Sequence, residues 1–131
     1  MSVTDVMESY VAAARRGDFE AAFGRFAEDI VVRIPGRSRF AGERRGRAAA
    51  MEYIDHARAI SRDHEVQVEV VDKLVSDERF TLLVVERFHR DGEVVEIRRA
   101  NVYRVRDEEI VEIWIFEGDQ YEVDALLGGA G

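Results

Sequence analysis

Two hydrophobic periodicities divide this chain, and their order constrains the fold more than any other feature. Helical spacing dominates the first half and strand alternation fills the second. Val3, Val6, Met7, Tyr10, Val11 and Ala14 recur every three or four residues and predict one buried helical face. Ser2 or Thr4 can cap this helix, and Gly17 permits a left-handed exit. Asp18 caps a second helix that carries Phe19, Ala22, Phe23 and Phe26 on one side. Ile30 to Ile34 reads as a strand stopped by Pro35-Gly36, and residues 37–46 read as a polar loop. A third helix is predicted from Arg47 to Ile60, with Ala50, Tyr53, Ile54, Ala57 and Ile60 inward. Four strands follow, over 65–75, 80–89, 94–105 and 110–116. The first slips phase at Val70-Val71, which predicts a bulge, and Asp91-Gly92 is a strong hairpin turn. A short helical pattern covers 121–127, and the tail from Gly128 to Gly131 is expected to fray. Helices followed by antiparallel strands predict an α+β fold: a curved antiparallel sheet wrapped around three N-terminal helices, a cone with an apolar interior.

A length of 131 residues with 47% hydrophobic side chains predicts one domain spanning residues 1–131. The absence of cysteine excludes disulfides and thiolate metal sites. His56, His64 and His89 have no metal-ligand spacing, so neither a metal nor a cofactor is expected. A net charge of −8 argues against nucleic acid as a partner. No apolar run approaches the roughly 18 residues of a membrane span, and MSVTDVMESY lacks a signal pattern, so a cytoplasmic protein is expected. Lys73 is the single lysine among 19 basic residues. Genomic composition bias explains such an excess of arginine. A sharper explanation is that some arginines turn inward and hold a planar anion.

The elements carry a recognisable set of short motifs. They are Gly17-Asp18-Phe19-Glu20-Ala21, Phe26-Ala27-Glu28-Asp29-Ile30-Val31, Pro35-Gly36, Phe40-Ala41-Gly42 and Arg45-Gly46-Arg47. Later come Asn101-Val102-Tyr103-Arg104-Val105-Arg106-Asp107, then Glu112-Ile113-Trp114-Ile115-Phe116 ahead of Asp119-Gln120. In this order, over nearly the whole chain, they resemble the SnoaL-like branch of the nuclear-transport-factor-2-like (ketosteroid-isomerase-like) superfamily. The resemblance implies the same cone fold. It leaves function open, because the family hosts isomerases, polyketide cyclases, epoxide hydrolases, dehydratases and proteins that only bind. One departure is Glu108, where the family's last hairpin usually has glycine. Glutamate resists positive φ, so a different turn type is expected there.

Alternation sorts strand side chains into faces without saying which face is inside. Val31 and Arg33 oppose Ile30, Val32 and Ile34; Glu112, Trp114 and Phe116 oppose Val111, Ile113 and Ile115. Both faces of 110–116 are largely apolar, which predicts a pocket on one side and a second subunit on the other. Resemblance to the epoxide-hydrolase-like members implies that Val31, Arg33, Arg87 and His89 face the cavity. It also implies that His89 replaces one family aspartate and Phe116 another, so the two-aspartate epoxide-opening machinery is expected to be absent. Resemblance to the polyketide-cyclase-like members points to Asp119 as an acid–base; its alternative is a helix N-cap. Arg33 could instead pair with Glu112, Arg87 with Glu96 or Glu86, and His89 could stand in solvent. Asn101 shares a face with Arg99 and Tyr103, and Arg99 is a third arginine that alternation could turn inward. Tyr10, Phe26, Phe40, Tyr53, Ile54, Trp114 and Phe116 read as pocket or core wall.

The leading expectation is a small-molecule enzyme moving a proton next to a carbonyl, by isomerisation or aldol-type cyclisation of an aromatic or polyketide-like substrate. His89 or Asp119 would move the proton, Arg33 or Arg87 would stabilise the enolate oxygen, and Asn101 or Tyr53 would orient the carbonyl. An inward arginine would make the pocket basic and suit a ligand bearing a carboxylate or enolate. The alternatives are a non-catalytic ligand-binding or accessory protein and an epoxide-hydrolase-like hydrolase. A homodimer through the sheet is expected.

Overall fold

The computed structural model describes residues 1–128; the expected fraying of the tail lies, from residue 129 on, outside the described residues. The chain forms α1 (Val3–Arg15), α2 (Phe19–Phe23), β1 (Phe26–Ile34), β2 (Gly42–Arg45), α3 (Arg47–Ile60), β3 (Gln67–Val75), β4 (Arg79–Arg90), β5 (Glu93–Arg106), β6 (Glu109–Glu117) and α4 (Gln120–Leu127). Ser2 caps α1 through a reciprocal pair of hydrogen bonds with Asp5, and Asp18 caps α2 by accepting from the Ala21 amide. α2 is shorter than its phenylalanine spacing predicts. The chain leaves it at Gly24, the Arg25 carbonyl accepts from the Ile110 amide, and Phe26 opens β1 instead of completing the helix. The predicted polar loop 37–46 contains a four-residue edge strand, β2.

The six strands form one open sheet in the order β2-β1-β6-β5-β4-β3. All pairings are antiparallel except β1 with β6, which run parallel because the whole chain from β2 to β5 lies between them. The Val71 bulge in β3 stands where the phase slip predicts it. The hairpin at Asp107-Glu108 departs from expectation, since Glu108 does take positive φ, 67° after 51° at Asp107. Two-residue hairpins favour this doubly left-handed turn because its twist matches the strands, and here that requirement overrides the side chain's reluctance.

α1 and α3 cover one face of the sheet. The core beneath them gathers Val6, Met7 and Val11 from α1, Ala50 and Tyr53 from α3, and inward rows from the strands. Those rows are Ile30, Val32 and Ile34 on β1, and Phe80, Leu82, Val84 and Phe88 on β4. Among the described residues, no helix is long and apolar enough to cross a membrane.

Candidate functional site

The core does not close completely beneath the helices. A cavity of about 130 Å³ remains, walled by side chains that include Tyr10, Phe19, Phe23 and Phe26 on the helix side, with Ile54 and Ala57 from α3. Val68, Leu82, Val84, Ile113 and Ile115 form its sheet side. Engineered apolar cavities of about 150 Å³ stay dry and take up benzene, so this space suits a single ring. At the rim, Arg58 grips both oxygens of Glu65 at 3.1 and 2.8 Å and lies over the Phe19 ring at 4.6 Å.

Four polar side chains interrupt the inward rows of β4, β5 and β6, and the strand register places them together. Arg99 pairs across to Glu117 on one side and stands next to Glu86 diagonally on the other. Its Nε and Nη2 donate to the two oxygens of Glu117 at 2.9 and 2.7 Å, and its Nη1 donates to Glu86 Oε1 at 3.3 Å. The guanidinium is 8% exposed and Glu117 1% exposed. Glu86, Arg99, Asn101 and Tyr53 line the cavity, whereas Glu117 stands behind Arg99 outside the lining. Burial works to lower the Arg99 pKa, but Glu86, Tyr53 and Glu117 outweigh it and raise it, so the guanidinium is always charged. Burial pushes the Glu117 carboxyl above its ordinary range against the pull of Arg99.

Two buried polar atoms have no hydrogen-bond partner among the described residues: Tyr53 Oη and Asn101 Oδ1. Leaving such an atom unpaired costs about 1–3 kcal/mol, which a ligand with matching groups would recover. Burial raises the Tyr53 hydroxyl pKa and lifts Tyr10 to about 12, so both remain O–H donors at neutral pH.

Of the side chains singled out in the sequence, Tyr10, Phe26, Tyr53, Ile54 and Asn101 line the cavity. The others lie elsewhere. Val31 and Arg33 point away from the helices, because burying Ile30, Val32 and Ile34 is more favourable than burying a guanidinium. Arg33 pairs with Glu112 and Glu43 and stacks over Trp114. Arg87 is on the same outer face, held by Glu69 and Glu96 at 3.0 Å each. His89 shares that face and meets Gln67 at 2.8 Å. Both are outside because the other parity of β4 buries Leu82, Val84 and Phe88. Asp119 caps α4 by accepting from the Glu122 amide at 3.1 Å. Phe40 is buried but packs on Tyr53 and His56 outside the cavity lining, between Arg39 and Arg44.

Trp114 and Phe116 also face outward, with Phe116 56% exposed. A bulge at Val111 is responsible. Val105 pairs with Ile110, but Arg104 pairs with Glu112, so one extra residue flips every later side chain of β6. Ile113, Ile115 and Glu117 thereby turn inward. Of the three arginines considered, only Arg99 enters the cavity, and two carboxylates already hold it. The pocket is therefore not basic.

A family model for the SnoaL-like domain matches residues 7–113. The chain belongs to the SnoaL-like domain family. No curated protein matches the sequence. Among solved structures, a cystatin-like-fold protein from Xanthomonas campestris superposes with a TM-score of 0.81 at 23% identity, over 98% of this chain and 99% of that one. A nuclear-transport-factor-2-like protein from Burkholderia pseudomallei K96243 gives 0.77 at 19% identity, over 98% and 100%. TerC, co-crystallised with polyporic acid, gives 0.76 at 13% identity, over 95% and 96%. At these identities the likeness concerns the fold. SnoaL-like domains often bind small molecules and can be enzymes.

Proposed function

We propose that this SnoaL-like domain binds a small aromatic or polyketide-like ketone and moves a proton next to its carbonyl. The observation that carries this reading is the Glu86–Arg99 ion pair, flanked by two unpartnered hydrogen-bonding atoms, in a mainly apolar cavity. Glu86 replaces His89 and Asp119 as the acid–base. One of its oxygens is held by Arg99, and the other has no hydrogen bond among the described residues. That second oxygen takes the proton from the carbon beside the carbonyl. The C–H electron pair moves into the carbonyl, and the enolate oxygen accepts a hydrogen bond from the Tyr53 hydroxyl. Asn101 orients the substrate. Return of the proton to a conjugated carbon completes an isomerisation, and attack of the enolate carbon on a second carbonyl, with Glu86 returning the proton to the new alkoxide, completes an aldol-type cyclisation. Epoxide opening fits less well, because Glu117, the second carboxylate, is not presented to the cavity. TerC, of the same fold, was co-crystallised with an organic ligand, which supports a small-molecule occupant here.

The test is exchange of carbon-bound hydrogen for deuterium in a panel of cyclic enones and 1,3-diketones, read by mass spectrometry. Wild-type protein should accelerate exchange, and Glu86→Gln should slow it about 100-fold or more. A ligand that binds without any acceleration of exchange would favour the non-catalytic binder.

We further propose that two copies of the chain pair through the outer face of the sheet. Phe116, Ala100 and Leu83 are cross-strand neighbours there, as are Trp114, Val102, Thr81 and Leu74. Phe116, Leu83 and Leu74 expose 56%, 37% and 52% of their surface, an apolar band that pairing of two copies would cover.

A further inference from the structure

The ion cluster also bears on which ligands the cavity takes. This inference rests on the cavity being a ligand site, not on its being catalytic. A carboxylate ligand needs an open guanidinium fork, the planar pair of N–H groups that binds both oxygens. The Nε/Nη2 fork of Arg99 is filled by Glu117 and Nη1 already donates to Glu86, so three of its five N–H donors are committed before a ligand enters. Two carboxylates surround the one guanidinium, so the cluster offers an entering anion no excess positive charge. The spare capacity is of the opposite kind, with Asn101 Oδ1 and the second oxygen of Glu86 waiting for a donor. A ligand hydroxyl suits either orphaned atom, donating to Asn101 Oδ1 or accepting from Tyr53 Oη.

We infer that Glu117, which never touches the ligand, is the specificity-determining residue: by occupying the Arg99 fork it makes the cavity accept neutral ring compounds bearing a hydroxyl and reject carboxylates of the same shape. It is a positioning residue that acts through Arg99.

Benzyl alcohol and benzoate are matched probes in size and outline. Titrations followed by protein NMR shifts at neutral pH should show wild-type protein binding benzyl alcohol at least about tenfold tighter than benzoate. Glu117→Gln keeps the side-chain shape but removes the charge, and should shift that ratio toward benzoate by about tenfold or more. Benzoate binding to the wild type as tightly as benzyl alcohol would overturn the inference, and so would an unchanged ratio in a folded Glu117→Gln. If the variant does not fold, the wild-type ratio still tests the filter, since benzoate bound as tightly as benzyl alcohol overturns it. Absence of deuterium exchange with the neutral preference intact would remove the proposed catalysis and leave the charge filter standing. Binding of neither probe would overturn both.

Discussion

Glu108 holds a conformation that glutamate avoids, with φ of 67° in the β5–β6 turn, whereas the equivalent place in the β4–β5 turn is Gly92 at 77°. A left-handed residue with a Cβ costs about 1–2 kcal/mol relative to its ordinary conformation, and glycine escapes that cost. The Glu108 carboxylate meets the N-terminal ammonium at 2.6 Å, but both groups are exposed and such pairs contribute little. Glu108→Gly should therefore raise the melting temperature by a few degrees, about 2–6 °C for a chain of this size. A thermal unfolding scan checks this, and a fall would show that the N-terminal contact outweighs the turn strain. The cavity depends on the residue scale in the same way. Tyr53 and Asn101 keep unpaired buried atoms at a cost the fold tolerates, a cost that the proposed ligand would offset.

Glu112 and Glu117 lie on opposite faces of strand β6, and they give the protein opposite responses to pH. Burial pushes Glu112 up, but hydrogen bonds and charge from Arg33 and Arg104 outweigh it and hold its carboxyl below the ordinary range. A depressed folded pKa contributes stability above the unfolded value of about 4.5, and that contribution is lost as pH falls through the folded value. Glu117 is the reverse: burial raises it, so its contribution is greatest below the unfolded value and is lost as pH rises through the folded one. Glu112→Gln should thus flatten the loss of stability on the acid side, while Glu117→Gln should flatten a loss on the way up from acid pH. Urea midpoints across the acid range separate the two. The same slope in both variants would contradict the assignment. Alternation puts the two on opposite faces, five residues apart, and the Val111 bulge decides that Glu112 is the one outside and Glu117 the one inside.

The whole molecule presents a helix-covered face with the cavity and an outer sheet face with an apolar band. If two copies pair through that band, Phe116→Glu should place like charges opposite each other and yield monomers, with the cavity undisturbed. Light scattering on a sizing column gives the mass, and an unpaired wild type at high concentration would refute the pairing.

Local chemistry decided much of this architecture, and it was readable in the sequence. The helix α3 from Arg47 to Ile60, the caps at Ser2 and Asp18, the Val71 bulge and the Asp91-Gly92 turn follow from periodicity and turn residues. Tyr10, Phe26, Tyr53, Ile54 and Asn101 reach the cavity because their faces are set by helix or strand spacing. The parity of β1 and β4 was also legible in principle, since the more apolar row goes inside, but resemblance to the epoxide-hydrolase-like members pointed Arg33, Arg87 and His89 the other way. Only the tertiary structure decided β6. The Asp107-Glu108 turn by itself pairs Arg99 with Phe116, and one unpaired residue at Val111 replaces that partner with Glu117. A bulge leaves almost no local signature here, because Ile110, Val111, Ile113 and Ile115 read as strand in either register. Side-chain direction in a strand has a period of two, so that single insertion reversed which residues face the cavity and placed Glu117 behind Arg99.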